Sequence, residues 1–120
     1  MNDLIDTFYR VITPSDSPLM RLCVRWPREP GYDLVRAVVE PHLGGEPLEH
    51  IAVLHNGARR DMFVSELGTI ALTTRPPLPR NERATAIYRA AWLARHPECD
   101  PESLAWIAGP AVLFERRVWF

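Results

Sequence analysis

His50 and Asp61 straddle an Asn56-Gly57 pair. If the flanking segments pair as strands, both side chains fall on one face, where an imidazole and a carboxylate can exchange a proton. Leu54, His55, Arg59, Arg60 and Phe63 lie around them, so charge gathers at the tip of that hairpin. Acyl or phosphoryl chemistry would also need a nucleophile or a third orienting group, and none is suggested. Ser65 and Ser103 have no nucleophile-elbow context. An ordinary polar hairpin end explains the same residues. His42, His50, His55, His96, Cys23 and Cys99 are scattered, with no Cys-x-x-Cys and no His-Glu-x-x-His. No metal and no cofactor is expected. Gly44-Gly45 lacks the lysine and spacing of a phosphate loop. All fourteen basic residues are arginine, so Schiff-base catalysis through lysine is excluded.

Arg75, Arg80, Arg83 and Arg89 crowd one stretch, with Asn81 as a helix cap and Glu82 the sole opposing acid. Arg80 and Arg83 fall at a predicted helix N-terminus, where free amides and the positive dipole end attract anions. Guanidinium groups added there would suit a nucleotide phosphate, a nucleic-acid backbone or an acidic protein surface. A solvated helix face explains the cluster equally simply. Trp26, Phe63, Trp92, Trp106 and Trp119 read as core, or as a partner-facing patch on an open sheet.

The chain must position these groups with 120 residues, 12 of them proline, and a net charge near −1. That length suits one domain with one core. The apolar fraction of 47% argues against a disordered chain, and the near-zero charge against a generally cationic nucleic-acid binder. No apolar run is long enough to span a bilayer. Asp3 and Asp6 stand where a signal peptide needs basic charge, so the expected compartment is the cytoplasm. The cysteines are expected as free thiols, with Cys23 buried.

Residues 3–12 read as a short amphipathic helix, with Leu4, Ile5, Phe8, Val11 and Ile12 on one stripe, followed by a linker to residue 18. Residues 19–120 read as a single α+β domain. A strand is expected from Leu19 to Trp26 and a helix from Asp33 to Glu40. The Asn56-Gly57 hairpin follows. A four-residue loop, Asn56 to Arg59, is preferred there because it sets Val53 opposite Met62 and Ile51 opposite Val64. A short strand is expected at Ile70-Ala71-Leu72. A helix capped by Asn81 follows, with Ala84, Ile87, Tyr88, Ala91, Trp92 and Arg95 at the 3.6 period. A second short helix starts at Asp100-Pro101-Glu102 and carries Leu104, Trp106 and Ile107. Ala111 to Phe114 suits a buried central strand. This order predicts an α+β fold: a ferredoxin-like split β-α-β, or a similar two-layer sandwich on an antiparallel sheet, with an extra N-terminal helix.

Four stretches carry a resemblance. They are Leu48-Glu49-His50-Ile51-Ala52-Val53 with Asn56-Gly57; Val64-Ser65-Glu66-Leu67-Gly68; Leu78-Pro79-Arg80-Asn81-Glu82-Arg83-Ala84-Thr85-Ala86; and Ile107-Ala108-Gly109-Pro110-Ala111-Val112. They resemble a domain-of-unknown-function family of small proteins carried by phages, plasmids and integrated elements, over roughly residues 34–114. The chain departs from the family by its N-terminal extension, by a longer insert at 89–106, and by Ser65 where the family has Asn. The family has no established catalytic residues to carry over. The resemblance implies a mobile-element accessory protein, acting against host defence. The expected function is therefore a non-enzymatic binding protein that occludes a protein or nucleotide target, its partner most simply a host or phage protein. The alternatives are a nucleic-acid module using the Arg75–Arg89 patch and a small enzyme at His50/Asp61. Apolar content on both faces of an open sheet also predicts a homodimer.

Overall fold

The structure, a computed structural model, describes residues 3–120. Its strands are β1 (Ile5–Ile12), β2 (Met20–Trp26), β3 (Leu48–His55), β4 (Ala58–Ser65) and β5 (Ala111–Phe114). Its helices are α1 (Tyr32–His42) and α2 (Glu82–Arg95). The strands form one antiparallel sheet in the order β2-β1-β5-β4-β3. The class is α+β, as the patterning predicts.

The N-terminal helix expected over residues 3–12 is instead β1, paired with β2 on one side and β5 on the other. Ile5, Thr7, Phe8, Tyr9, Val11 and Ile12 are β-branched or aromatic, which suits a pleated surface better than a helix. Tyr9 and Val11 then face one side of the sheet while Ile12 faces the other. A split β-α-β is not seen either, because that unit joins two parallel strands that have one strand between them. Here α2 links β4 to β5, which are antiparallel neighbours, and α1 links β2 to β3 at opposite edges of the sheet.

Alternation along the strands builds two cores. Val35 and Val39 of α1 pack on Tyr9, Trp26, Phe63, Val112 and Phe114. Ala84 and Ala91 of α2 pack on Ile12, Val53, Met62, Val64 and Leu113 from the other face. Beyond the reach of α2, that second face is open over β1 and β2. Cys23 lies there and is exposed, not buried as its apolar neighbours suggested, and both cysteines are free thiols.

The hairpin turn is the two-residue one. Asn56 has φ 51° and Gly57 φ 77°, both left-handed as a type I′ turn requires. Val53 therefore pairs with Arg60 and Ile51 with Met62, not with Met62 and Val64. Turn chemistry outweighs apolar pairing because Arg60 is satisfied elsewhere: its guanidinium donates to the carbonyls of His55 and Glu115. Ile70-Ala71-Leu72 does not form a strand; only Leu72 bridges to Arg75. The helix expected after Asp100 stops after one 3₁₀ turn, Pro101–Ser103. The chain beyond it is captured by α2, as the Asn81 and Thr85 bonds below show.

Candidate functional site

Asp61 is fully buried beneath the C-terminal tail. Its Oδ1 lies 2.7 Å from His50 Nε2, so the expected pair does form. Its Oδ2 accepts the Val118 amide at 2.7 Å and the Trp119 amide at 2.9 Å. Trp119 stacks on the His50 ring, 5.5 Å between centroids, and meets Phe63 edge-on. Three hydrogen bonds from the protein itself thus hold this carboxylate, one on Oδ1 and two on Oδ2. Arg59 stands 3.8 Å from Oδ1, while Leu54 is exposed on the outer strand. His55 lies on the opposite face from His50. Burial, then the charges of Arg60 and Arg10, hold its imidazole below the usual value.

The expected arginine patch divides into separate tasks. Arg83 donates to the carbonyls of Thr13, Ser15 and Ser17 and so pins the loop between β1 and β2. Arg75 chelates Glu46 and donates to the carbonyls of Leu67, Ile70 and Pro76. Its hydrogen bond, helped by the Ser65 hydroxyl, holds the Glu46 carboxyl below the ordinary range. Arg89 donates to the carbonyls of Leu104 and Ala105. Arg80 is the exception: it pairs with exposed Glu82 and lies over the Trp106 ring at 5.6 Å. The same use of arginine recurs outside the patch, where Arg116 donates to Thr7 Oγ1 and to the carbonyls of Pro27, Arg28 and Arg117. A guanidinium fork spans several acceptors at once, which an ammonium cannot do as well.

Asn81 is fully buried. Its Oδ1 caps α2 by accepting the Ala84 amide, and its Nδ2 donates to the carbonyls of Ile12 and Gly109. Thr85 Oγ1 accepts the Ile107 amide at 2.9 Å. The Leu-Pro-x-Asn-x-x-Ala-Thr stretch and the Gly-Pro-Ala-Val stretch therefore meet in space. Gly109 has φ 82°, and a Cβ there would stand 2.5 Å from Leu78 Cδ1.

Pinning the segment that ends in Ile107–Ala108 leaves a groove of about 570 Å³ between it, α2 and β3. Ile51 and Val64 line the sheet side, Tyr88, Ala91 and Trp92 the helix side, and Trp106 the facing segment. Trp92 is 41% and Trp106 47% exposed, so two indole rings face solvent beside a cavity of ligand size. Glu49, Glu66 and Arg95 supply its charge, and Arg95 forms no ion pair among the described residues. Ser65, the one serine lining it, donates to Glu46, which Arg75 already holds. The ion pair with Arg75 holds that carboxylate below its ordinary range and so makes it a weak base toward the hydroxyl.

Of the residues singled out from sequence, His50, Ser65, Trp92 and Trp106 line this groove, with Arg80 reaching its Trp106 wall. Trp92 and Trp106 are expected as core or as a partner-facing patch, while Tyr88 and Arg95 are not among the candidate site residues. Tyr88, Trp92 and Arg95 sat on the helical stripe taken for core; the available signal was that two rings and an arginine are too much for one buried stripe over a small sheet. Together the fold and groove define a small α+β domain, a five-stranded antiparallel sheet with a helix on each face and an apolar cleft beside one edge. No family model matches the chain, and neither a curated protein nor a solved structure does.

Proposed function

We propose that the protein acts by binding a partner protein, whose apolar side chain seats in the groove between α2 and β3. The observation that carries this reading is the pair of half-exposed indoles, Trp92 and Trp106, flanking a largely apolar cavity. Indoles at a concave, largely apolar site are the usual anchors of protein recognition. A mobile-element accessory protein would use such a surface to occlude a host or phage protein. Nucleic-acid binding through the Arg75–Arg89 stretch draws less support, since Arg75, Arg83 and Arg89 spend their donors on the chain's own carbonyls. Catalysis at His50/Asp61 draws less for the same reason.

The test is quantitative capture from bacterial extract on the immobilised chain, on a Trp92→Ala, Trp106→Ala double variant, and on Arg80→Glu. A protein retained by the parent and depleted at least tenfold by the double variant supports the groove. Identical retained sets on parent and double variant would refute it. Loss through Arg80→Glu alone, with nucleic acid in the eluate, would favour the phosphate-binding alternative.

A further inference from the structure

The two edges of the sheet are not alike. β2 carries exposed Arg21 and Arg25 and is bracketed by Pro18 and Pro27. Charges and prolines are how proteins keep an edge from pairing with another chain. β3 also follows a proline, Pro47, but between Leu48 and His55 it carries no arginine and a single acid, Glu49; Leu54 is 49% exposed on it, as Met20 is 54% exposed on β2.

The turn fixes which backbone groups of β3 are free. In a two-residue hairpin the pair beside the turn, His55 with Ala58, exchanges two main-chain bonds, and bonded pairs then alternate. Val53 and Ile51 therefore bond to β4, while His50, Ala52 and Leu54 aim N–H and C=O outward. Among the described residues no other segment's backbone bonds to them.

From this we infer that β3 pairs antiparallel with β3 of a second copy, about a two-fold axis through Ala52. Ala52 then faces the partner's Ala52, and His50 faces the partner's Leu54. The outward rows supply about six main-chain hydrogen bonds. On the α2 face, Ile51 meets the partner's Val53, and Glu49 meets the partner's His55 at both ends of the seam. Sliding by one pair to centre on Ile51 would set Glu49 against the partner's Val53, a charge against an aliphatic side chain. β-branched pairs across strands are a favourable combination, and the Glu49 carboxylate can accept a hydrogen bond from the partner's His55. The two-fold keeps both α2 helices on the same face of a continuous ten-strand sheet. Two grooves then flank the seam, and a repetitive partner would be held twice over.

Sedimentation equilibrium of the full chain over a hundredfold concentration range tests this. The expected mass is that of two chains. Ala52→Pro removes an N–H that points out of the hairpin ladder, so circular dichroism should be unchanged, and melting should match the parent's at concentrations where both are single chains. Two of the six bonds go, and the dimer dissociation constant should rise about 30-fold. Leu54→Lys, at an exposed position, should also dissociate the pair and decides the matter should the proline variant fail to fold. In a Cys23→Ser, Cys99→Ser background, Ala52→Cys should cross-link on mild oxidation, since opposed bonded Cα atoms lie about 5.5 Å apart. Leu54→Cys should not, being four residues out of register with its counterpart. A single-chain mass at the highest concentration, a dimer indifferent to both edge variants, or cross-linking no faster at 52 than at 54 overturns the inference.

Discussion

Replacing Asp61 by alanine strands three donors at once. The Val118 amide is buried, the Trp119 amide is partly so, and both lose the acceptor they now reach at 2.7 and 2.9 Å. His50 Nε2 loses its bond as well, but the ring is 19% exposed and can take water in exchange. Counting only the amides, at about 1–3 kcal/mol for each unsatisfied group, the expected loss is about 4 kcal/mol. Against a domain stability of about 5–15 kcal/mol that is a large fraction. His50→Ala should cost less than half as much, because both amides keep their acceptor. Urea unfolding followed by circular dichroism measures both variants, and hydrogen exchange at the Val118 amide reports the tail directly. In Asp61→Ala that amide should exchange far faster than amides of β4. A loss under about 1 kcal/mol, or a Val118 amide still protected, would refute the assignment of Asp61 as the anchor of residues 115–120. Such a result would return the His50/Asp61 pair to the catalytic candidates.

Asn81→Ala should destabilise by about 3 kcal/mol in the same assay, since it removes the α2 cap and leaves two buried carbonyls without their donor. Arg83→Lys should cost about 1–2 kcal/mol and raise proteolysis of the 13–18 loop, because one ammonium cannot hold three separated carbonyls. Glu46 is held below its ordinary value chiefly by Arg75, so its contribution is complete above about pH 4.3 and is lost as pH falls through the folded value. Urea midpoints taken between about pH 5 and 3 should therefore fall less steeply in Glu46→Gln than in the parent. His55 is likewise depressed, so the parent should lose stability as pH drops below about 6.5, the unfolded value, and His55→Gln should be flat across that window.

Where local signals agreed, the sequence was legible. Asn81 capped α2, Pro97 followed its end, and Ala111–Phe114 formed the buried central strand. Where two periods fitted the same residues, the choice lay in tertiary pairing. Residues 3–12 satisfy a helical stripe and a strand alternation equally well, and only the free edges of β2 and β5 decide between them. The hairpin loop shows the converse: Asn-Gly dictated a two-residue turn, and the apolar pairing that argued for a longer one was overridden because Arg60 could reach carbonyls of His55 and Glu115. The region after Asp100 looked helical by its cap. Its backbone went instead to Asn81 and Thr85, partners over twenty residues away that no local pattern reveals.

The candidate site was harder to see for a related reason. An arginine's role depends on which acceptors lie within reach, and those acceptors here are carbonyls of distant loops. Arg75, Arg83, Arg89 and Arg116 close four irregular segments that proline and short turns leave without a ladder of their own. Buried or half-buried carbonyls need donors, and a chain rich in such loops needs many of them. These arginines and the prolines work together in the folded protein: the proline-bounded loops offer carbonyls without a regular partner, and the planar five-donor fork satisfies several at a time. Chemistry that looks from sequence like an anion-binding surface is largely internal. On the reading proposed above, the groups that would meet a partner lie beside β3, where the fastened loops expose Trp92, Trp106, Arg95 and the outward backbone of His50, Ala52 and Leu54.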